Sequence, residues 1–152
     1  MDDEAIGRQI VNSAIRVHTV LGAGLLESAY ETCLTHELGK TGLMVKRQVP
    51  MPLQYDNLPM DIGYRIDMLV NDRVIIEVKA VERFLPIHTA QVLTYLKLNK
   101  LRLGYLLNFN VVQMKSGVKR VVNGYWRNYL CPSCTWWFCF CFPLRAHSDV
   151  WT

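Results

Sequence analysis

A short β-forming segment that carries two opposite charges limits the folds open to this sequence more than any other feature. Residues 74–80 read Val-Ile-Ile-Glu-Val-Lys-Ala, so Glu77 and Lys79 lie among apolar, mostly β-branched residues. Side chains two residues apart on a strand project from the same face. If helices cover both faces of the sheet, this pair is partly buried, which is costly without a partner or a metal ion. A solvent-facing ion pair on an edge strand is the alternative, but the apolar surroundings favour a central strand.

A second strand precedes this one and carries Asp67, with the turn residues Asn71 and Asp72 between the two. With a two-residue loop, Glu77 would lie opposite Ile66 and Asp67 would face away. A three-residue loop or a bulge would place Asp67 directly across from Glu77. The sequence therefore predicts such an irregularity, or a frayed or twisted strand end at Asp67.

Hydrophobic periodicity and breaker residues predict the other elements. Gly22 and Gly24 separate two helices, Gly39 or Gly42 caps the second, and Pro86 opens a third. The predicted helices cover residues 6–21, 25–38 and 86–98, and the predicted strands cover residues 43–49, 62–70, 73–80, 103–109 and 118–122, with a turn at 56–59. This order predicts an α/β fold in which helices flank a mixed central sheet.

The composition indicates one globular domain followed by a different segment. The chain has 152 residues, of which 51% are hydrophobic and 20% are charged. All four tryptophans and four of the five cysteines follow Asn123. We therefore predict a domain at residues 1–123 and a Cys/Trp-rich appendage of uncertain structure at 124–152. Cys33, alone in the domain, is expected to be a small buried hydrophobic residue.

The appendage allows three interpretations. Its CxxC and CxC pairs are possible zinc ligands, namely Cys131, Cys134, Cys139 and Cys141. The two pairs lie too close together for a normal zinc loop, so a loosely packed appendage or a change of reading frame near Gly124 is favoured. Residues 136–144 are too short to span a bilayer, and no membrane association is predicted.

The net charge of +4 and the pI near 8.9 permit a polyanionic partner without requiring one. The N-terminal residues Met-Asp-Asp-Glu lack the basic start and apolar stretch of a secretory signal, so a cytoplasmic protein is expected.

Two carboxylates and a lysine at one point suit phosphodiester hydrolysis. Oxygen ligands bind Mg²⁺, the ion lowers the pKa of a water, and a lysine stabilises the transition state.

Three motifs resemble those of the PD-(D/E)XK nuclease superfamily. Asp67 followed by Glu77-Val78-Lys79 resembles its D…(D/E)xK motif, although Ile66 replaces the usual proline. Residues 24–30, Gly-Leu-Leu-Glu-Ser-Ala-Tyr, match the pattern that names its GxxExxY branch. Residues 88–95 resemble its helical QxxxY element. The resemblance covers about residues 5–123 and implies a restriction-endonuclease-like core with the order α-β-β-β-α-β.

The resemblance also implies roles for individual residues. The implied metal ligands are Asp67, Glu77, the Val78 carbonyl and Glu27, and Lys79 would act on the attacking water. The implied substrate-positioning residues are Gln91, Tyr95, Tyr30 and His88. Structural alternatives exist for several of them: Glu27 as an acid in the first turn of a helix and the two tyrosines as packing residues. For His88, a helix cap and a phosphate contact are equally favoured.

These inferences predict a nuclease that uses Mg²⁺ or Mn²⁺ and cleaves nucleic acid, DNA rather than RNA, with a homodimer possible by analogy. A catalytically inactive nucleic-acid-binding or protein-interaction module on the same fold is the alternative. The intact set of Asp67, Glu77 and Lys79 favours the enzyme.

Overall fold

The computed structural model of the chain describes residues 2–56, 58–60 and 64–124. The tryptophans and the four cysteines of the predicted appendage lie outside these residues. The helices are α1 (Asp3–Leu21), α2 (Glu27–Lys40) and α3 (Pro86–Leu98). The strands are β1 (Val45–Pro50), β2 (Leu53–Tyr55), β3 (Leu58–Met60), β4 (Arg65–Val70), β5 (Val74–Lys79), β6 (Leu103–Asn108) and β7 (Val118–Val122).

Five strands form one mixed sheet in the order β1-β4-β5-β6-β7, and β2 pairs with β3 in a separate hairpin. β5 and β6 run parallel, and the other neighbouring strands run antiparallel. A parallel pair needs a crossover connection, which α3 provides. When the separate β2–β3 hairpin is left out, the elements from α2 to β6 follow one another as α2, β1, β4, β5, α3 and β6. This is the predicted α-β-β-β-α-β order, so the restriction-endonuclease-like fold is confirmed.

The β4–β5 hairpin confirms the predicted irregularity. Val70 pairs with Val74, so the loop contains three residues, and its first two, Asn71 and Asp72, have φ angles of 50° and 54°. Asparagine and aspartate tolerate this left-handed conformation better than most residues do. The pairing runs to Met68 opposite Ile76, and one further step in this register places Asp67 across from Glu77.

Helices cover both faces of the sheet, as the sequence predicts. On one face, Ile76 and Val78 of β5 pack in a core with residues of α1 and α2. On the other face, Ile75 packs in a second core with Val92 and Leu96 of α3. Glu77 and Lys79 share the strand face of Ile75, so their side chains begin on the side that α3 covers.

Some local predictions need correction. The α2 helix begins at Glu27 rather than residue 25 and continues through Gly39 to Lys40, with Gly42 (φ 77°) beyond it. The turn predicted at 56–59 is wrong in extent, because residues 58–60 form β3 and pair with β2. Pro59 can lie within β3 because both strands of a two-stranded ribbon are edge strands, where a proline is tolerated. Among the described residues, none of the helices combines the length and apolarity that a membrane crossing needs.

Candidate active site

The predicted site lies where β4 and β5 stop pairing. Beyond Met68 and Ile76 the ladder ends, and the Val78 N–H donates to Asp67 Oδ2 at 2.9 Å instead of to a backbone carbonyl. Two residues further along the same strand edge, the Ala80 N–H donates to Glu27 Oε1 at 3.0 Å. Alternate N–H groups of a strand project from the same edge. Two carboxylates from distant parts of the sequence therefore lie along one edge of the end of β5.

Glu77 and Lys79 form the second part of the site. Lys79 Nζ donates to Glu77 Oε1 at 2.8 Å, and Glu77 is only 2% exposed. The other carboxylate oxygen, Oε2, is buried and has no hydrogen-bond partner among the described residues. Since β5 lies between β4 and β6, the interpretation as a solvent-facing pair on an edge strand is wrong.

Burial and neighbouring carboxylates raise the pKa values of Glu77 and Asp67. Burial, and then the charge of Asp67, raise the pKa of Glu77 from 4.5 to about 7 against the opposing effect of Lys79. Burial also raises the pKa of Asp67, and the charges of Glu31 and Glu27 act in the same direction. The hydrogen bond from Val78 and the charge of Lys79 oppose this rise only in part.

The neighbouring carboxylates favour the protonated form of Lys79. Burial acts to lower its pKa, but the hydrogen bond to Glu77 and the charges of Glu77, Asp67 and Glu27 together raise it. Both partners of the Glu77–Lys79 pair thus have raised pKa values. Burial is the main cause for Glu77, whereas several carboxylates around one ammonium group are the cause for Lys79. The site therefore holds more acidic than basic groups.

This excess of acidic groups and the unpartnered Glu77 Oε2 fit a divalent cation. Across the described ranges, no group of three or more His, Cys, Asp or Glu side chains is close enough to form a complete metal cage. A complete cage is not what Mg²⁺ requires, because this ion usually keeps several waters and binds one or two carboxylates plus substrate phosphates. Asp67 and Glu77 match that pattern.

Tyr30 organises the loop that leads to Glu27. Its hydroxyl donates to the Gly22 carbonyl at 2.8 Å and accepts from the Leu25 N–H at 3.1 Å. The buried ring stacks on Phe109, with 4.4 Å between the ring centroids. The structure therefore places Tyr30 in the core beneath the α1–α2 loop, where it supports the start of α2, and this agrees with the packing interpretation.

On α3, Gln91 and Tyr95 lie one turn apart on the same face, and Gln91 Nε2 donates to the Tyr95 hydroxyl at 2.9 Å. Burial raises the pKa of Tyr95, the hydrogen bond with Gln91 opposes this rise, and the charges of Glu77 and Asp67 add to it. Tyr95 packs in the same core cluster as Ile66 and Ile75. His88 acts as a helix cap: its Nδ1 accepts from the Leu85 N–H at 3.2 Å.

Glu31 is a further acidic residue of the site that the sequence analysis missed. It is 5% exposed, accepts a hydrogen bond from Gln48 Nε2 at 3.0 Å, and pairs with Arg47 at 3.4 Å. Gln48 has a left-handed φ of 49°, and the register of β1 and β4 places it opposite Asp67. The only sequence signal was its position one helical turn after Glu27.

Asn108, also missed, fixes the backbone beyond β5. Its Nδ2 donates to the Val81 carbonyl at 2.7 Å, and its Oδ1 accepts from the Val81 N–H at 3.1 Å. Asn108 is paired with Lys79 across the parallel ladder and is 2% exposed. The sequence signal for this role was a polar residue, Asn108, at the end of the otherwise apolar strand β6.

The fold and the site together define an α/β protein of the restriction-endonuclease-like class, with an acidic, lysine-containing site at the end of a central strand. The model of a family described as "PD-(D/E)XK nuclease superfamily" matches residues 4–121, and the chain belongs to this superfamily. Members are usually nucleases and generally use divalent metal ions, which supports a nuclease at this coarse level. Comparisons with curated proteins and with solved structures gave no match.

Proposed function

We propose that this chain is a Mg²⁺- or Mn²⁺-dependent nuclease of the GxxExxY branch that hydrolyses phosphodiester bonds in DNA. The observation that carries the proposal is the cluster at the end of β5, where Asp67, Glu77 and Lys79 interact and the buried Glu77 Oε2 lacks a partner among the described residues. Membership of the superfamily supports the chemistry. The match of residues 24–30 to the GxxExxY pattern supports the branch.

In this proposal Asp67, Glu77 and the Val78 carbonyl would hold the divalent ion, with support from Glu27. The Val78 N–H fixes Asp67 Oδ2, and the Ala80 N–H fixes Glu27 Oε1, so both carboxylates are oriented in advance. A bound divalent ion would supply positive charge that lowers the pKa of a water and offsets negative charge on the phosphoryl oxygens.

Lys79 acts as a donor in this scheme, because its hydrogen bond to Glu77 and the neighbouring carboxylates favour the ammonium form. It orients the attacking water and donates to a non-bridging phosphoryl oxygen as negative charge develops there. Asn108 holds the backbone just beyond β5 and so helps to fix the direction in which Lys79 projects.

The choice of DNA over RNA rests on the resemblance alone, so the test must include both. Purified protein is incubated with end-labelled single- and double-stranded DNA and RNA in Mg²⁺, in Mn²⁺ and in EDTA. The site variants are Glu77→Gln and Lys79→Ala. Their matched controls are Glu82→Gln and Lys115→Ala, which change exposed side chains of the same types.

We expect metal-dependent cleavage by the parent and by both controls, and a loss of at least about 100-fold in both site variants. Mn²⁺ binding by calorimetry, with circular dichroism to confirm folding, gives the second readout. Folded protein that neither binds Mn²⁺ nor cleaves any substrate would refute the mechanism. Folded protein that binds Mn²⁺ and nucleic acid without cleaving would support the inactive binding module instead.

A further inference from the structure

A groove beside the proposed active site takes no part in the function described so far. It has a volume of about 320 Å³ and is lined by Met51, Tyr64 and five residues of α3. Met51 is buried, whereas Tyr64 is 44% exposed and Ile87, at the start of α3, is 66% exposed. The volume lies at the lower end of the range for small-molecule sites, roughly 300–1,000 Å³.

The lining suits a flat, uncharged aromatic group. An exposed tyrosine ring and aliphatic side chains supply apolar surface, and none of the lining residues that the structure describes is charged. The polar side chains, apart from the Tyr64 hydroxyl, all come from α3: they are Gln91, Thr94 and Tyr95. A free phosphate or carboxylate would find no counter-charge here, whereas a ring with polar edges would find both stacking surface and hydrogen-bonding groups.

The groove lies next to the strands that carry the proposed active site. Tyr95 lines the groove and packs in one core cluster with Ile66 and Ile75. Ile66 adjoins Asp67 in the chain, and Ile75 lies two residues before Glu77 on the same face of β5. Gln91 lines the groove as well and donates to the Tyr95 hydroxyl. If a ligand places an anionic group near Lys79, the groove therefore lies beside the next part of that ligand.

We propose that this groove binds one unpaired nucleobase of the nucleic acid whose phosphodiester lies at the Asp67–Glu77–Lys79 cluster, with the base stacked on Tyr64. The inference rests on the proposed function and adds the substrate class: single-stranded or locally unpaired nucleic acid. A base inside a duplex is stacked on its neighbours and must leave the helix before it can enter such a pocket.

The size of the groove separates this occupant from a protein partner. Of the residues that the structure describes, seven line it, whereas a stable protein interface uses roughly 20–30 residues on each side. One base, by contrast, needs little more than one aromatic platform and a few polar atoms at its edge.

The test measures binding by fluorescence anisotropy in Mg²⁺ in a Glu77→Gln background, which the proposed function expects to be inactive. The probes are a short single-stranded DNA, the same strand paired with its complement, and strands in which one base at a time is replaced by an abasic sugar. The variants are Tyr64→Ala, Tyr64→Phe and Ile87→Ala. Val112→Ala is the matched control, because Val112 is 96% exposed and lines a different groove.

We expect the single strand to bind more tightly than the duplex. Tyr64→Ala should weaken binding of the single strand by roughly 5- to 30-fold, whereas Tyr64→Phe and Val112→Ala should not. In the protein that keeps Tyr64, one particular abasic position should weaken binding by a similar factor. The same abasic strand should bind Tyr64→Ala about as tightly as the intact strand does. Ile87→Ala should show a smaller loss, and it carries the test if Tyr64→Ala does not fold.

Two failures are distinguishable. If the unmutated protein cleaves nucleic acid but no abasic position is coupled to Tyr64 or Ile87, the base-binding groove is refuted and the nuclease stands. If the unmutated protein neither binds nor cleaves any strand, the proposed function fails and the inference fails with it.

Discussion

The stability of the metal-free protein should decrease as the pH rises from 5 to 8, and Glu77 should account for the decrease. Burial and the neighbouring Asp67 raise the pKa of Glu77 from 4.5 to about 7. The folded state therefore binds this proton more tightly than the unfolded chain does. The resulting stabilisation is fully present below pH 4.5 and is lost as the pH rises to about 7.

The expected size is large for one side chain. A tenfold change in proton affinity corresponds to about 1.4 kcal/mol, so the full shift from 4.5 to about 7 corresponds to about 3 kcal/mol. Between pH 5 and 8 the loss should be about 2–3 kcal/mol. The pKa of Asp67 is also raised, so its contribution has the same sign. Lys79, whose pKa is raised above 10.5, and Glu37, whose pKa is lowered below 4.5, titrate outside this window.

Urea unfolding followed by circular dichroism gives the free energy of unfolding at each pH in EDTA. The unmutated protein and the control Glu82→Gln, at an exposed carboxylate, should lose stability in parallel as the pH rises, and Glu77→Gln should lose much less. Added Mg²⁺ should flatten the dependence in the unmutated protein, because a cation favours the ionised carboxylates. Identical pH dependence in the unmutated protein and Glu77→Gln would refute the argument from burial.

Three further substitutions test the supporting structure. Tyr30→Phe removes the two hydroxyl contacts to the α1–α2 loop but keeps the ring, so thermal or urea unfolding should show a loss of about 1–3 kcal/mol, and cleavage should fall as Glu27 loses its support. A full-strength enzyme would contradict that role. Gly104→Ala would place a Cβ 2.8 Å from Val92 Cγ1, so the same unfolding assays should show a loss of about 1–3 kcal/mol. Gly39→Ala, in α2 with open space around it, should instead raise stability by up to about 1 kcal/mol, and a loss there would indicate a contact outside the described residues.

The sequence predicted the elements whose signals are local. Pro86 opens α3 because its fixed φ suits the first turn of a helix, and the predicted range of 86–98 matches the structure. The three-residue loop between β4 and β5 was predicted as one of the ways to bring Asp67 across from Glu77, and the register confirms it. Both predictions needed information from only a few adjacent residues or from one hairpin.

Features that depend on distant packing could not be predicted in the same way. The burial of Glu31 arises because Arg47 and Gln48, on another element, contact its carboxylate, and nothing in the local sequence distinguishes it from an exposed helical acid. The separate hairpin of β2 and β3 was missed because the turn residues at 56–59 predicted a longer loop than the structure has. Asn108 depends on the parallel register of β5 and β6, which the sequence does not specify.

The early end of the β4–β5 ladder explains how a central strand tolerates this much charge. A longer ladder would pair the N–H groups of Val78 and Ala80 with backbone carbonyls, and the half-buried Asp67 and Glu27 would then lack these donors. Because the ladder stops, the strand edge donates one hydrogen bond to each acid. Lys79 Nζ donates its hydrogen bond to Glu77 Oε1, and Glu77 Oε2 stays unpartnered among the described residues. The end of the β4–β5 ladder and the proposed cation site are therefore one structural feature. Further pairing of β4 with β5 would remove the hydrogen bonds that orient Asp67 and Glu27, on which the proposed chemistry depends.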